Sequence, residues 1–246
     1  MQQLEKKLIK GFTLLEVLVV LSIIAIISTV AYQPFQDWRK DRETRLAAEK
    51  IRDMLVGING QVQRGLYGFG QFSIDPTTGI LSTNGMLMHN VSRKKSENSS
   101  DWNSISTRCK ITEMDTYWDH RGEDNTNVEV KSIRLNLNRI SFDLTTKSAI
   151  CFSKDGAYYS AIGDLLGESS GSEEGDTDGT TTEAVVEWIY VCGYGGVCDP
   201  DFEAIYEDLN KEEKKKIKNV YMVSWTRFGN ISLEKYDPRN GSFVAK

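Results

Sequence analysis

The feature that most constrains this chain is a run of aliphatic residues near its start. Phe12 to Tyr32 is apolar or small throughout, apart from Thr13, Glu16, Ser22, Ser28 and Thr29. As a helix rising 1.5 Å per residue the run spans about 31 Å, close to the thickness of a hydrocarbon core. Lys6, Lys7 and Lys10 precede it, so the positive-inside rule places residues 1–11 in the cytoplasm and everything after Ala31 outside. Glu16 is the anomaly, because a charged side chain deep in a bilayer costs about 2.5–3.5 kcal/mol and by default marks a functional site with a partner.

Three readings of this segment compete. A secretory signal peptide fits the basic flank and has a tolerable small-x-small cleavage site at Thr29-Val30-Ala31, which would leave a chain starting at Tyr32. A plain membrane anchor fits the length. Neither accounts for a carboxylate inside the apolar run, or for Gly11 at its boundary with the basic flank.

The stretch Lys10-Gly11-Phe12-Thr13-Leu14-Leu15-Glu16 resembles the class III signal of type IV pilins and pseudopilins. The resemblance implies that a prepilin peptidase cuts between Gly11 and Phe12 on the cytoplasmic side and N-methylates Phe12. The apolar helix is then retained, first as membrane anchor and later as filament core. It also gives Glu16 a role. When such helices stack in parallel, each buries an N-terminal amine among apolar side chains, and a carboxylate one turn along can neutralise it. Burying either charge alone is expensive, so the pair sets the stagger between subunits, as a lone polar residue fixes a coiled coil.

The remaining composition fits an appended extracytoplasmic domain. The chain has 246 residues and a net charge of −5. Lys6, Lys7 and Lys10 against Glu5 leave the first eleven residues at +2 and the body at −7, unlike a generally nucleic-acid-binding chain. Pro34 should kink or loosen the helix after the apolar run. Over 35–64, Ala47, Ile51, Met54 or Leu55, Ile58 and Val62 recur at helical spacing, with charged residues between them. This predicts an amphipathic helix lying on a globular head, with Gly65 to Gly70 as its exit turn. Strand signals follow at Phe69–Ile74, Ile80–Leu81, Val128–Ile133, Ile140–Leu144, Ala149–Phe152, Val185–Cys192, Val220–Trp225 and Ile231–Leu233. Turns are expected at 75–79, Lys154-Asp155-Gly156 and Phe228-Gly229-Asn230.

The expected class is therefore α+β: a pilin-like fold whose long N-terminal helix spans the membrane with its first half and packs its amphipathic second half on an antiparallel sheet. The expected division is a removed leader at 1–11, a transmembrane and filament-core helix at 12–33, a head helix at 34–64, and a β-rich head at 65–246 with a flexible acidic loop near 166–184. Ser148 to Gly156 and Val223 to Ile231 are similar to segments of the GspH/FimT group of minor pilins and pseudopilins, although insertions near 84–127 and 166–184 lengthen this chain.

Four cysteines allow up to two disulfides in three connectivities. The short Cys192–Cys198 spacing favours a stapled loop and leaves Cys109 with Cys151. Metal binding is the alternative, but the two histidines, His89 and His120, lie far away in sequence. Asp176-x-Asp178-Gly179 resembles part of a calcium loop without its closing Glu, and a solvated loop is the plainer reading. Lys214, Lys215, Lys216 and Lys218, with Arg227, are possible DNA contacts, because some FimT-like minor pilins bind DNA during uptake. Nearby acidic residues dilute that field. No glycine-rich phosphate loop, histidine metal motif or G-x-S-x-G elbow is present, so neither enzyme nor cofactor is expected.

The resemblance implies a minor pilin or pseudopilin of a type IV pilus or type II secretion pseudopilus, with a DNA-binding minor pilin of natural transformation as the alternative. Its partners would be other pilins or pseudopilins, prepilin peptidase, the inner-membrane assembly platform and membrane lipid. Its location would be the bacterial inner membrane with the head in the periplasm or outside, and then the filament.

Overall fold

The computed structural model describes residues 13–97, 102, 109, 128–156, 159–165, 187–193, 209–210, 217–226 and 228–246, without the side chains of 29–34, 128–130, 160 and 164. The chain divides into two compact units, Met1–Arg39 and Lys40–Lys246.

Helix α1 runs from Leu14 to Gln63, and its helical assignment continues through Pro34. The sequence dictates both ends. Thr13 caps the start: the Glu16 N–H donates to Thr13 Oγ1 at 3.2 Å and the Val17 N–H to the Thr13 carbonyl at 3.2 Å, the Thr half of a Thr-x-x-Glu capping sequence. Gly65, at φ 77°, ends it. The Leu66 N–H donates to the Gln61 carbonyl at 3.0 Å and the Gly65 N–H to the Val62 carbonyl at 2.9 Å, a Schellman closure.

Within Lys40–Lys246 the strands form two five-stranded antiparallel sheets. The first comprises β1 (Phe69–Asp75), β2 (Ile80–Met86), β3 (Val128–Arg134), β5 (Ser148–Ser153) and β6 (Ser160–Ile162), in the order β3-β2-β1-β5-β6. The second comprises β4 (Ile140–Phe142), β7 (Trp188–Gly193), β8 (Val220–Trp225), β9 (Ile231–Asp237) and β10 (Ser242–Ala245), in the order β10-β9-β8-β7-β4. A helix, α2 (Met88–Glu97), lies between β2 and β3 in sequence. Antiparallel sheets and a helix establish the α+β class. The single sheet expected from the sequence is corrected to two, because β4 leaves the chain order of the first sheet to pair with β7, and β5 returns to pair with β1.

Both sheets contribute to one core around the helix. Ala47, Ala48, Ile51, Met54, Leu55, Ile58 and Val62 cluster with Phe72, Ile74, Leu81, Ile150 and Phe152 of the first sheet and Ile189, Val191, Tyr221, Val223, Trp225 and Leu233 of the second. The period-2 alternation of the strands sends other residues outward, and on each sheet some of these form a second buried cluster. On the first sheet Phe69, Met86, Ala149 and Cys151 meet Val91 of α2, Trp102 and Cys109, with Phe69 and Trp102 rings 5.3 Å apart. On the second, Tyr190, Cys192, Val220 and Tyr236 meet Ile217.

Two glycines let the layers close. A Cβ on Gly70 would come within 2.7 Å of Val62 Cγ2 and 2.8 Å of Ile58 Cγ1. At Gly229 (φ 82°), in the β8–β9 turn, a Cβ would overlap Asn59 of the helix. Asn59 Nδ2 donates instead to the Gly229 carbonyl at 3.3 Å, fixing that turn on the helix.

Candidate functional site: the apolar helical segment

The segment from Leu14 to Ile27 presents aliphatic side chains in all directions around the helix. Leu14, Leu15, Val17, Leu18, Val19, Val20, Leu21, Ile23, Ile24, Ile26 and Ile27 are all exposed, from 47% at Val17 to 79% at Leu14. A helix that is apolar all round belongs in a membrane or among other apolar helices, since water penalises every face of it. Its few polar groups turn inward on the backbone: Ser22 Oγ donates to the Val19 carbonyl and Ser28 Oγ to the Ile24 carbonyl, both at 2.7 Å. Glu16 stands exposed in the first turn, one turn beyond the Thr13 cap.

Among the described residues no helix is long and apolar enough to cross a membrane. The side chains described at this end run from Leu14 to Ser28, about 22 Å of helix, against roughly 30 Å for a hydrocarbon core. Further along, Phe35 and Trp38 form a tilted ring pair with centroids 5.8 Å apart, and they are 56% and 55% exposed.

In the other unit the helix carries a charged cluster. Asp41 Oδ1 accepts from Lys235 Nζ at 2.6 Å and from Tyr221 Oη at 3.0 Å, and Lys235 Nζ lies 5.4 Å from the centroid of the Tyr221 ring. Burial first, and the Asp41 charge second, push the Tyr221 hydroxyl well above the usual phenol range. Glu43 accepts a hydrogen bond from Arg139. A cleft of about 300 Å³ beside that pair is lined by Leu46, Ala47, Lys50, Arg134, Leu135 and Ile140 among others.

The residues singled out in the sequence fall in different places. Gly11 and Phe12 lie outside the described residues, as do Asp176, Asp178, Lys214, Lys215, Lys216, Arg227 and the whole 166–184 stretch. Pro34 sits within α1. Lys218 is exposed next to the buried Ile217. Cys109 and Cys151 are joined in a disulfide with Cα atoms 5.9 Å apart. Cys192 is buried and also disulfide-bonded, and Cys198 lies outside the described residues. Among the described residues no group of three or more His, Cys, Asp or Glu side chains is placed to hold a metal ion.

Sequence reasoning passed over the Thr13 cap, although Thr-x-x-Glu before an apolar run is its signature. It also passed over the Phe35–Trp38 pair, legible as two aromatics three residues apart, and the Asp41–Lys235–Tyr221 cluster, for which no local signal exists.

Residues 6–32 match the family model of the prokaryotic N-terminal methylation motif. That motif is the class III prepilin signal, and it is consistent with a type IV pilin-like protein. The match ends at Tyr32, so it speaks for the N-terminal segment and leaves the head to its own structure. No curated protein and no solved structure gives a significant match to the chain.

Proposed function

We propose that this chain is a minor pilin or pseudopilin of the GspH/FimT kind. It is made as a prepilin, cut between Gly11 and Phe12, N-methylated at Phe12, and held in the inner membrane by residues 12–33. From there it is drawn into a type IV pilus or a type II secretion pseudopilus. The single observation that carries this reading is a helix exposed and apolar on every side, headed by a prepilin signal and broken only by Glu16 and small hydroxyl residues. Covering its aliphatic side chains is worth of order 10 kcal/mol gross, which neither water nor a folded monomer supplies.

The mechanism follows from the same residues. Parallel packing of such helices buries the aliphatic surface, and Glu16 neutralises the N-terminal amine of a neighbouring subunit. A stagger that separates the two leaves a charge unpaired in an apolar bundle, so the pair selects one register. Cleavage after Gly11 leaves Thr13 in place, so the helix cap survives processing. The head, with its own two-sheet core, is displayed at the filament surface or tip. Its size and insertions suit a low-copy subunit, because a head repeated many times must pack against its own copies.

The test is the mass of the N-terminal peptide of the chain recovered from membranes of a host with prepilin peptidase. A peptide starting at methylated Phe12 is expected. A chain starting at Tyr32 would instead establish a discarded signal peptide and end the filament reading.

A further inference from the structure

Resting on the membrane-anchoring part of that reading, we infer that Phe35 and Trp38 form an interfacial anchor seated in the outer headgroup layer of the bilayer before assembly. The partner is the phospholipid glycerol and headgroup region, and the argument is one of depth, chemistry and exposure.

Depth comes from the helix itself. Measured from Leu14 at 1.5 Å per residue, Ile27 lies about 20 Å along the axis, Phe35 about 32 Å and Trp38 about 36 Å. A hydrocarbon core of roughly 30 Å that starts at the capped end is therefore left behind just before Phe35, and both rings fall within the next few ångströms. Chemistry agrees with this position. Indole is amphipathic and collects at the membrane–water boundary, and the charged stretch Arg39-Lys40-Asp41-Arg42-Glu43 follows at once in sequence, as suits the hydrated side of that boundary. Positions 35 and 38 are three apart on one face of the helix, and their rings contact each other while keeping more than half their surface open. Two large aromatics side by side and more than half exposed on a helix suit an interfacial environment.

The anchor fixes how far the helix slides into the membrane. With the rings held in the outer headgroup layer, the first turn and Glu16 lie at the opposite boundary, where the carboxylate stays hydrated until a neighbouring amine takes it. Assembly must then lift the ring pair out of the lipid.

The experiment uses the full chain reconstituted into phosphatidylcholine–phosphatidylglycerol vesicles, with the lipid brominated either high or deep on the acyl chains. Vesicle flotation reports anchoring. The emission of the native chain minus that of Trp38→Phe isolates Trp38 from the four other tryptophans, two of which, Trp102 and Trp225, are buried in the head. Quenching of that difference emission is expected to be about twofold or more stronger with high bromines than with deep ones. A chain that floats but whose Trp38 emission responds to neither bromine depth overturns the interfacial anchor and leaves membrane anchoring standing. So does one quenched more by deep bromines. A chain that does not float overturns the anchoring reading, and this inference with it.

Discussion

Glu16 occupies the third position after the helix cap, where a glutamate side chain suits the cap and the positive end of the helix dipole as well as any partner in a filament. The two roles separate under Glu16→Gln, since glutamine serves a capping box but carries no charge. Processing and membrane insertion should be unchanged in this variant. Breaking a buried ion pair by removing one partner costs about 3–5 kcal/mol, so incorporation into filaments should fall by about 100-fold or more. Immunoblotting of sheared filaments against total membranes reads both quantities. Asp75 offers a residue-scale test in the head. Burial raises its pKa, but the Thr77 hydroxyl and the Thr77 and Thr78 N–H groups, at 2.6, 2.9 and 3.1 Å, outweigh burial and bring it down to about 2. A carboxyl whose folded pKa lies below its unfolded value contributes stability above the unfolded pKa and loses it as pH falls through the folded one. The head should therefore lose of order 1 kcal/mol between about pH 4 and pH 2 through this group, screened as it is by nearby solvent. Urea midpoints across that range should drop less steeply in Asp75→Asn than in the native chain.

At the scale of elements, the first sheet is covered on both faces, and among the described residues a disulfide ties down the cover on its outer face. Cys109–Cys151 links positions 42 apart in sequence, and Gln71 Nε2 donates to the Cys109 carbonyl at 3.0 Å while Gln71 Oε1 accepts from Asn84 Nδ2 at 2.6 Å. Closing a loop of that length restrains the unfolded chain by up to about 4 kcal/mol in the chain-entropy picture. The double variant Cys109→Ser/Cys151→Ser should lower head stability by about 2–4 kcal/mol in urea and open Trp102 to acrylamide quenching, while the helix–sheet core stays intact. This same cover marks the limit of what could be read from the sequence. The helix stripe was legible because a 3.6-residue period is local, and Ala47, Ile51, Leu55, Ile58 and Val62 are indeed the buried face. Most strands were legible because β-branched and aromatic runs sit between turn residues such as Asp75–Gly79. Their grouping into two sheets was not, since β1 chooses β5 and β4 chooses β7 across long loops, a choice made by packing on the helix. Helix α2 was missed because its Ser-Arg-Lys-Lys-Ser-Glu stretch has no apolar stripe, and only Asn90 and Val91 are buried. Strand β10 was missed for a similar reason: it is an exposed four-residue edge. The apolar segment was the most legible part of the candidate site, because its purpose depends on composition and spacing more than on tertiary contacts.

For the whole molecule, the division at Arg39–Lys40 separates two kinds of stability. Residues from Lys40 onward contain the helix face, both sheets and the Cys109–Cys151 bond, and every described core residue lies among them. The first unit shows the opposite balance: its aliphatic side chains lie open and gain nothing until lipid or other helices cover them. A chain cut to residues 40–246 and oxidised should therefore be a soluble monomer that unfolds cooperatively, whereas the full chain should leave the membrane fraction only in detergent. Size-exclusion chromatography and thermal melts check the first statement, and carbonate extraction checks the second. The Asp41 cluster sets the limit of the truncation. Lys235 and Tyr221 reach it from β9 and β8, with Asp41 and Lys235 each about 30% exposed, so the pair is only partly screened. Asp41→Asn in the truncated head should cost about 1–2 kcal/mol, seen as a lower urea midpoint at unchanged slope. A full chain that leaves membranes in carbonate as a monomer would show that neither lipid nor other helices need to cover the apolar segment. The case for a filament subunit would then have lost its physical basis.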